Sequence, residues 1–564
     1  MSARIKGWMG AAAALGAASG ALMSAAPAEA CGGFFCSRVP VDQTGENILF
    51  VQEGDEIEAH VNILYQGEAE DFAWIVPTPS RPEINISSQD VFARLDQTTG
   101  VRYSLNFLDA ECFVVPIDDA GMPEADPGND GEVTVVQQSS VGPYDFAVLQ
   151  ATSTEALFGW LGENNYDIPS NVMPFVEPYV TMGPEMHFVA FRLQSDREVG
   201  DIAPVRMRYR ASAPMVPIQL TAIASQPDMG VRVHVLAEAR AVPANYLHVH
   251  VNEARIDWLN SGSNYNQLVT EAMNEAGGQG FTTEYAGPSS VMAEVLFREG
   301  QYDTARLAGL RDPVAFMEEL MRQGFLGNNQ LLAMLRRYLP LPAQLQGEVD
   351  ERDFYNCVSC YAEFIDAEGF DAAAFANELE SAIVEPLRHA QSQFDAAPYL
   401  SRLFTTLSAE EMTRDPGFAY NPNMADVSNV RTADADANCD PNNPREMTVT
   451  ITLSDGRILT QFWDNGVYVD DSTEPAADLI EQTGGEGPAT VVRDINSGVD
   501  ILDEVLDARD NAEEPRDIPS GGTLDPTIGC ATAPGNPAPI PLLLLAIGLF
   551  ALRRRSSSSM TPHS

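Results

Sequence analysis

The sequence predicts an α+β protein, in which a β-rich, sandwich-like N-terminal region is followed by a mainly helical region, a β-hairpin, a disordered stalk and one C-terminal transmembrane segment. Three observations support this fold class. Apolar and polar residues alternate with a period of two in several runs of residues 46–255, as in strands with one buried face. From about residue 290 to residue 412 the apolar spacing is helical. The remaining chain is acidic and ends in a leucine-rich run before three arginines.

The 564 residues leave room for three or four domains of about 150 residues each. The patterns along the chain predict a signal peptide (1–30), a β-rich region (31–260), a helical region (261–420), an acidic loop with a β-hairpin (421–470), a flexible acidic stalk (471–538) and a transmembrane or sorting segment (539–555).

The chain is strongly acidic, with 81 Asp and Glu residues against 33 Lys and Arg residues and a net charge of -48. Proteins bind nucleic acid and anionic lipid mainly through lysine and arginine. The charge therefore argues against a nucleic-acid partner and favours cations or basic partners. The sequence does not identify a protein or glycan partner.

The first thirty residues have the features of a secretory signal peptide. Arg4 and Lys6 precede a small, apolar segment, and Ala28-Glu29-Ala30 fits the small-x-small cleavage rule. Cleavage there would leave Cys31 first. The alternative is an acylated lipoprotein start, although Ala28 stands where such a start normally has leucine. Either reading predicts an exported protein.

Export permits disulfides, because thiols outside the cytoplasm tend to oxidise. Cys357 and Cys360 have the spacing of a redox or metal pair, but no second CxxC accompanies them, so we expect one structural disulfide or two separate bridges. The sequence does not determine the pairing. The candidates are Cys31, Cys36, Cys112, Cys357, Cys360 and Cys439.

Several motifs follow one another in the first part of the chain. They read CGGFFC, PVDQTGENILF, a YQG turn, DFAWIVPTP, VGPYDFAVLQATSTEALFGWLGENNYDIP, PMVPIQLTAIAS and YLSRLFTTLSAEEMTRDPGF. Together they resemble the bacterial family known as domain of unknown function 2330 (DUF2330), over roughly residues 31–420. The resemblance implies an exported protein. It brings no established activity and no catalytic residues.

Three histidines are the candidate zinc ligands. Runs at 231–239 and 246–251 alternate as strands, with valines and Leu247 on one face and His234, His248 and His250 on the other. If these two strands pair, the three imidazoles share a face, which is an arrangement that binds zinc. The alternative is polar side chains on the wet face of a sheet.

Oxygen-bearing side chains alternate at Asp434, Asp436, Asn438 and Asp440 and suggest a calcium loop. The pattern departs from the usual one, because Cys439 stands where a turn glycine is needed and Arg445 occupies the twelfth position. A β-hairpin is predicted directly afterwards, over residues 447–463.

The C-terminal tail has a cysteine, Cys530, then an uncharged apolar run and the cluster Arg553, Arg554 and Arg555. It resembles the MYXO-CTERM type of sorting tail, which implies cleavage near the cysteine and display on the cell surface. Without cleavage, the same run is a one-pass membrane anchor with its arginines on the cytoplasmic side.

The sequence contains no GxSxG, HExxH, P-loop or dinucleotide-binding motif. This favours an exported, surface-anchored binding or envelope-structural module that is not an enzyme. The alternatives are a secreted metal-dependent hydrolase that uses the three histidines, and a calcium-stabilised structural module. Zinc and calcium are therefore the candidate cofactors, and the membrane is the expected partner of the tail.

Overall fold

A computed structural model describes residues 42–66, 73–109, 129–131, 134–166, 172–183, 185–194, 197, 201–223, 225–440, 443–464 and 473–512. The predicted signal peptide, Cys31, Cys36, Cys112 and the whole tail from residue 513, with Cys530 and Arg553 to Arg555, lie outside these residues.

The strands, in chain order, are β1 Asp42–Glu53, β2 Glu56–Gln66, β3 Ala73–Thr78, β4 Glu83–Ile86, β5 Arg102–Asp109, β6 Asn129–Gly131, β7 Thr134–Val141, β8 Tyr144–Gln150, β9 Asn164–Tyr166, β10 His187–Leu193, β11 Val205–Arg210, β12 Ser225–Ala237, β13 Ala241–Pro243, β14 Leu247–Val251, β15 Gly280–Pro288, β16 Tyr399–Leu407, β17 Phe418–Tyr420, β18 Val430–Asp440, β19 Asn443–Thr452, β20 Ile458–Asp464, β21 Ala477–Gln482, β22 Thr490–Asp494 and β23 Val499–Asp500.

The α-helices are α1 Gln89–Thr99, α2 Thr154–Glu163, α3 Met173–Thr181, α4 Ile218–Thr221, α5 Tyr265–Glu275, α6 Thr304–Ala308, α7 Pro313–Gln323, α8 Asn329–Tyr338, α9 Glu351–Asn356, α10 Ala372–Leu379, α11 Glu385–Ala396 and α12 Leu502–Ala512. The mixture of large sheets and helices confirms the α+β class.

The centre of the fold is an eleven-stranded sheet with the order β23-β22-β21-β14-β15-β16-β12-β1-β2-β11-β4. A four-stranded sheet, β3-β10-β8-β7, shares an apolar core with it. Phe50 and Val233 enter this core from the large sheet, and Phe146 and Phe191 enter it from the small one. The alternation read from the sequence therefore points one face of these strands into a core between two sheets.

The other face of the large sheet is covered by the helical segment. Leu49 and Val51 of β1 pack in a second core with Phe316 of α7 and Leu387 of α11. Because Ile48 and Phe50 face the first core, β1 is buried on both faces. Strands of this kind read as continuous apolar runs.

The predicted helical region and the predicted stalk both differ from expectation. The helical region contains β15 and β16, which lie near the middle of the large sheet. The predicted stalk is folded over residues 473–512, where β21, β22 and β23 extend the sheet and α12 packs beside them through Leu502. Ile480 and Val492 are fully buried, which supplies the apolar contact that fixes this segment. The helix α12 closes the folded part of this segment.

The predicted calcium loop is wrong, because its residues form strand β18. Alternation buries Ala433 and Ala435 and leaves Asp434 and Asp436 exposed, so the two carboxylates line a strand rather than encircle an ion. The side chains of Asn438, Cys439 and Asp440 lie outside the description. The predicted hairpin is confirmed, since β19 pairs with β20 in antiparallel register.

Cys357 and Cys360 form a disulfide, with their Cα atoms 5.3 Å apart. This agrees with the structural bridge expected for the CxxC pair. Within the described part of the chain, no helix has the length and apolar character needed to cross a membrane. The proposed membrane segment, 539–555, lies beyond that part and stays a prediction.

Candidate metal centre

Two of the three candidate histidines meet at the junction of β14 and β21. These strands pair in antiparallel register, and His248 stands opposite Glu481. His250 follows two residues later, so both rings project from the same face of β14. Glu481 lies in the segment predicted to be a stalk, and the sequence analysis did not single it out.

His234 does not join this cluster. The expected pairing of its strand with β14 is wrong, because β12 pairs with β1 on one side and β16 on the other. Two strands, β15 and β16, therefore separate β12 from β14. The ring of His234 is buried beside Arg402, and burial, helped by that charge, holds its pKa well below the usual value.

The three side chains have the spacing of metal ligands. His248 Nδ1 lies 3.3 Å from Glu481 Oε2, and His250 Nε2 lies 3.2 Å from the same oxygen. All three ligand atoms are within 4.8 Å of one another. A tetrahedral zinc ion with bonds of about 2 Å holds its ligand atoms about 3.3 Å apart. The third distance joins His248 Nδ1 to His250 Nε2. The His250 side chain is 43% exposed, so its rotation can bring these two nitrogens to the same separation.

A second layer of contacts orients His248. Its Nε2 lies 2.9 Å from Thr283 Oγ1, and Arg240 Nη2 donates to the same hydroxyl oxygen at 3.2 Å. That oxygen has two lone pairs, so it can accept from Arg240 and from an Nε2–H of His248 together. In the metal-free chain, a proton on Nδ1 lets His248 donate to Glu481 Oε2. When the proton of the neutral ring lies on Nε2 instead, the Nδ1 lone pair faces Glu481 and is available to a metal, as in centres whose histidines are hydrogen-bonded through their other ring nitrogen.

The protonation states also suit a cation. Burial lowers the pKa of His248 to about 4, even though the Glu481 hydrogen bond opposes the shift. Burial works against ionisation of Glu481, but the hydrogen bonds of both histidines outweigh it and lower the pKa to about 2. At neutral pH the centre therefore contains a neutral His248 imidazole and a carboxylate, which are the forms that bind metal.

The centre opens on a polar cavity of about 350 Å³. Tyr103 and Tyr265 supply part of its wall, and His248 and His250 also line it. Charged side chains supply much of the rest, namely Glu253, Asp426, Arg431, Asp455, Arg457 and Asp478. Arg457 Nη2 lies 2.9 Å from Asp478 Oδ2, so part of this charge is paired within the wall.

A second cluster also combines two histidines with a glutamate, but arginines lie beside its carboxylate. Glu58 Oε1 lies 3.1 Å from His60 Nε2 and 2.6 Å from His389 Nε2. Arg206 and Arg208 also approach the same carboxylate, to 3.8 and 3.9 Å. Two guanidinium groups beside a carboxylate repel a metal ion, so we assign this cluster to an ion-paired hydrogen-bond network that joins α11 to the sheet.

Acidification of the metal-free protein from pH 6.5 to pH 4 is expected to remove about 3 kcal/mol of folding stability through His248. The pKa of this group is about 4 in the folded chain, below its ordinary value of 6.5, so the unfolded chain binds more protons in this interval. Denaturant unfolding at pH 7 and pH 4, in a chelator, measures the loss. His248→Gln should show a smaller loss than the unsubstituted chain, and equal losses would contradict the assignment.

The fold and the site define an α+β protein with a partly buried two-histidine, one-carboxylate cluster. Residues 25–298 match the model of a family described as "Uncharacterized protein conserved in bacteria (DUF2330)". The resemblance to DUF2330 is therefore confirmed over that segment, which includes His248 and His250 but not Glu481. No curated protein and no solved structure matches the chain.

Proposed function

We propose that the chain is a metal-binding protein of the cell surface, in which His248 Nδ1, His250 Nε2 and Glu481 Oε2 hold one zinc ion. The observation that carries the proposal is the spacing of 3.2 and 3.3 Å between the carboxylate oxygen and the two ring nitrogens. Imidazole nitrogen with one carboxylate is a donor set suited to zinc, whereas calcium takes oxygen ligands almost exclusively.

The first role of the ion would be structural. Glu481 lies on β21, which begins the last part of the large sheet, while both histidines lie on β14. A metal bound to both strands adds its binding free energy to the pairing of β21 with β14. This supports a non-enzymatic binding or envelope-structural module.

A metal-dependent hydrolase is the second candidate, and a specific observation favours it. Three protein ligands leave a tetrahedral ion one open position, and a polar cavity of about 350 Å³ adjoins the site. This candidate would be preferred if the zinc-loaded chain hydrolysed a model ester or phosphodiester and lost that activity on His250→Ala.

Export and anchoring are proposed on the sequence alone. The signal-like segment before Cys31 supports export, and the apolar run before Arg553 to Arg555 supports attachment to the membrane, with or without cleavage near Cys530. The membrane is thus the expected partner of the tail. The acidic surface argues against nucleic acid as another.

One experiment tests both parts of the proposal. Native cells are separated without chelators into surface and cytoplasmic fractions, and the intact mass and metal content of the protein are measured in each. We expect a chain that starts at Cys31 and holds one zinc ion. A metal-free chain from zinc-replete cells would contradict the metal centre, and a chain that is found only in the cytoplasm and retains residues 1–30 would contradict export.

A further inference from the structure

A second cavity lies between the two sheets, apart from the metal centre. Its volume is about 300 Å³, and its wall is largely apolar. The large sheet contributes Ile48, Phe50 and Val61, and the small sheet contributes Trp74 and Val76. The size and the lining are typical of pockets that enclose small organic molecules.

One acidic side chain faces this apolar space. Glu46 has the same parity on β1 as Ile48 and Phe50, so alternation points it into the core. The residue is only 6% exposed, and its Oε2 has no hydrogen-bond partner among the described residues. Leaving a buried acceptor unsatisfied costs folding free energy, so this position calls for an explanation.

A second unpartnered polar atom comes from the opposite sheet. Thr78 on β3 also lines the cavity, is 1% exposed, and its Oγ1 lacks a partner within the described chain. The two sheets thus each present one unused oxygen to a largely apolar space. Water could satisfy such atoms, but the apolar walls around them would bind water poorly.

We propose that this cavity binds a small apolar molecule with a single amine head, whose ammonium group donates hydrogen bonds to Glu46 Oε2 and whose apolar body fills the space between the sheets. A buried carboxyl group without a cationic partner is suited to an ammonium group. The chain's net charge of -48 also attracts cations and repels carboxylate-headed molecules.

The surroundings of Glu46 contain no competing cation among the described residues that line the cavity. Ile63 on β2 and Val231 on β12 stand opposite Glu46 in register. The other titratable side chain in the described wall is Tyr209, whose pKa is raised by burial. Burial raises the pKa of Glu46 to about 7, so the carboxyl group can ionise when a cation arrives.

The test compares three probes with the same chain length, namely n-octylamine, n-octanol and octanoate, titrated calorimetrically into the full-length protein. We expect saturable binding of one octylamine per chain, at least tenfold tighter than octanol, with octanoate the weakest. Below pH 7, octylamine affinity should fall about tenfold per pH unit, because the ammonium group needs the carboxylate form of Glu46.

Glu46→Gln should weaken octylamine binding at least tenfold, abolish its pH dependence and leave octanol binding unchanged. Glu53→Gln makes the same charge change at an exposed site on the same strand and should change nothing. Equal affinity of the unsubstituted chain for octylamine and octanol would overturn the amine assignment. Failure of all three probes to saturate would overturn the site itself.

Discussion

Replacing Glu58 by glutamine is expected to lower the free energy of unfolding by about 3–5 kcal/mol at pH 7. Glu58 Oε1 accepts hydrogen bonds from His60 and His389, and also from Gln393 Nε2 at 3.0 Å. Arg206, whose side chain is 10% exposed, has its ion pair with the same carboxylate. The substitution keeps the shape of the side chain but leaves a buried guanidinium group without its counter-charge.

Denaturant unfolding measures this effect, with Glu56→Gln as the matched control. Glu56 lies on the same strand and pairs with Arg208, but both side chains are about one-third exposed, so its loss should cost about 1 kcal/mol or less. The hydrogen bonds of His389 and His60, against the opposing effect of burial, lower the pKa of Glu58. The difference between Glu58→Gln and the unsubstituted chain should therefore shrink as the pH falls below about 4. Similar losses in the two variants at pH 7 would contradict the network.

Replacing Glu481 by glutamine is expected to weaken zinc binding about 100-fold or more, which corresponds to about 2.7 kcal/mol. The change removes the only anionic group of the proposed donor set and leaves the two imidazoles in place. Competition with a chromophoric chelator at fixed pH measures the dissociation constant. A loss of affinity without unfolding of the metal-free protein would assign the effect to the ligand.

Two control variants separate ligation from general effects. Glu486→Gln makes the same charge change at an exposed position nearby and should leave zinc affinity unchanged. His234→Gln should also leave it unchanged, because two strands separate that residue from the centre. Loss of affinity in His234→Gln, with Glu481→Gln unaffected, would restore the three-histidine arrangement that the sequence predicted.

The sequence predicted those elements in which burial leaves a readable pattern. The hairpin of β19 and β20 has alternating apolar residues around a turn glycine, Gly456, and its position was correct. β15 and β16 were missed because they are buried on both faces and carry polar core residues, including the ion pair of Arg402 with Glu284. Neither the strand period nor a continuous apolar run marks such strands.

The candidate site was only half predictable for a related reason. His248 and His250 are two positions apart on one strand, so the sequence alone places them on the same face. Their third partner depends on strand order, and Glu481 lies 231 positions after His250. The composition around Glu481 is acidic and rich in glycine, so it was read as a stalk. The sequence feature that could have indicated a strand here is the short run Ala477–Gln482, whose Ile480 is fully buried.

Anomalous diffraction at the zinc absorption edge, from crystals of the full chain grown with zinc, tests the central claim most directly. We expect one peak about 2 Å from His248 Nδ1, His250 Nε2 and Glu481 Oε2. The other cluster of two histidines and a glutamate, at Glu58, should show none, because its arginines repel the ion. A peak at Glu58, or none between β14 and β21, would contradict the account.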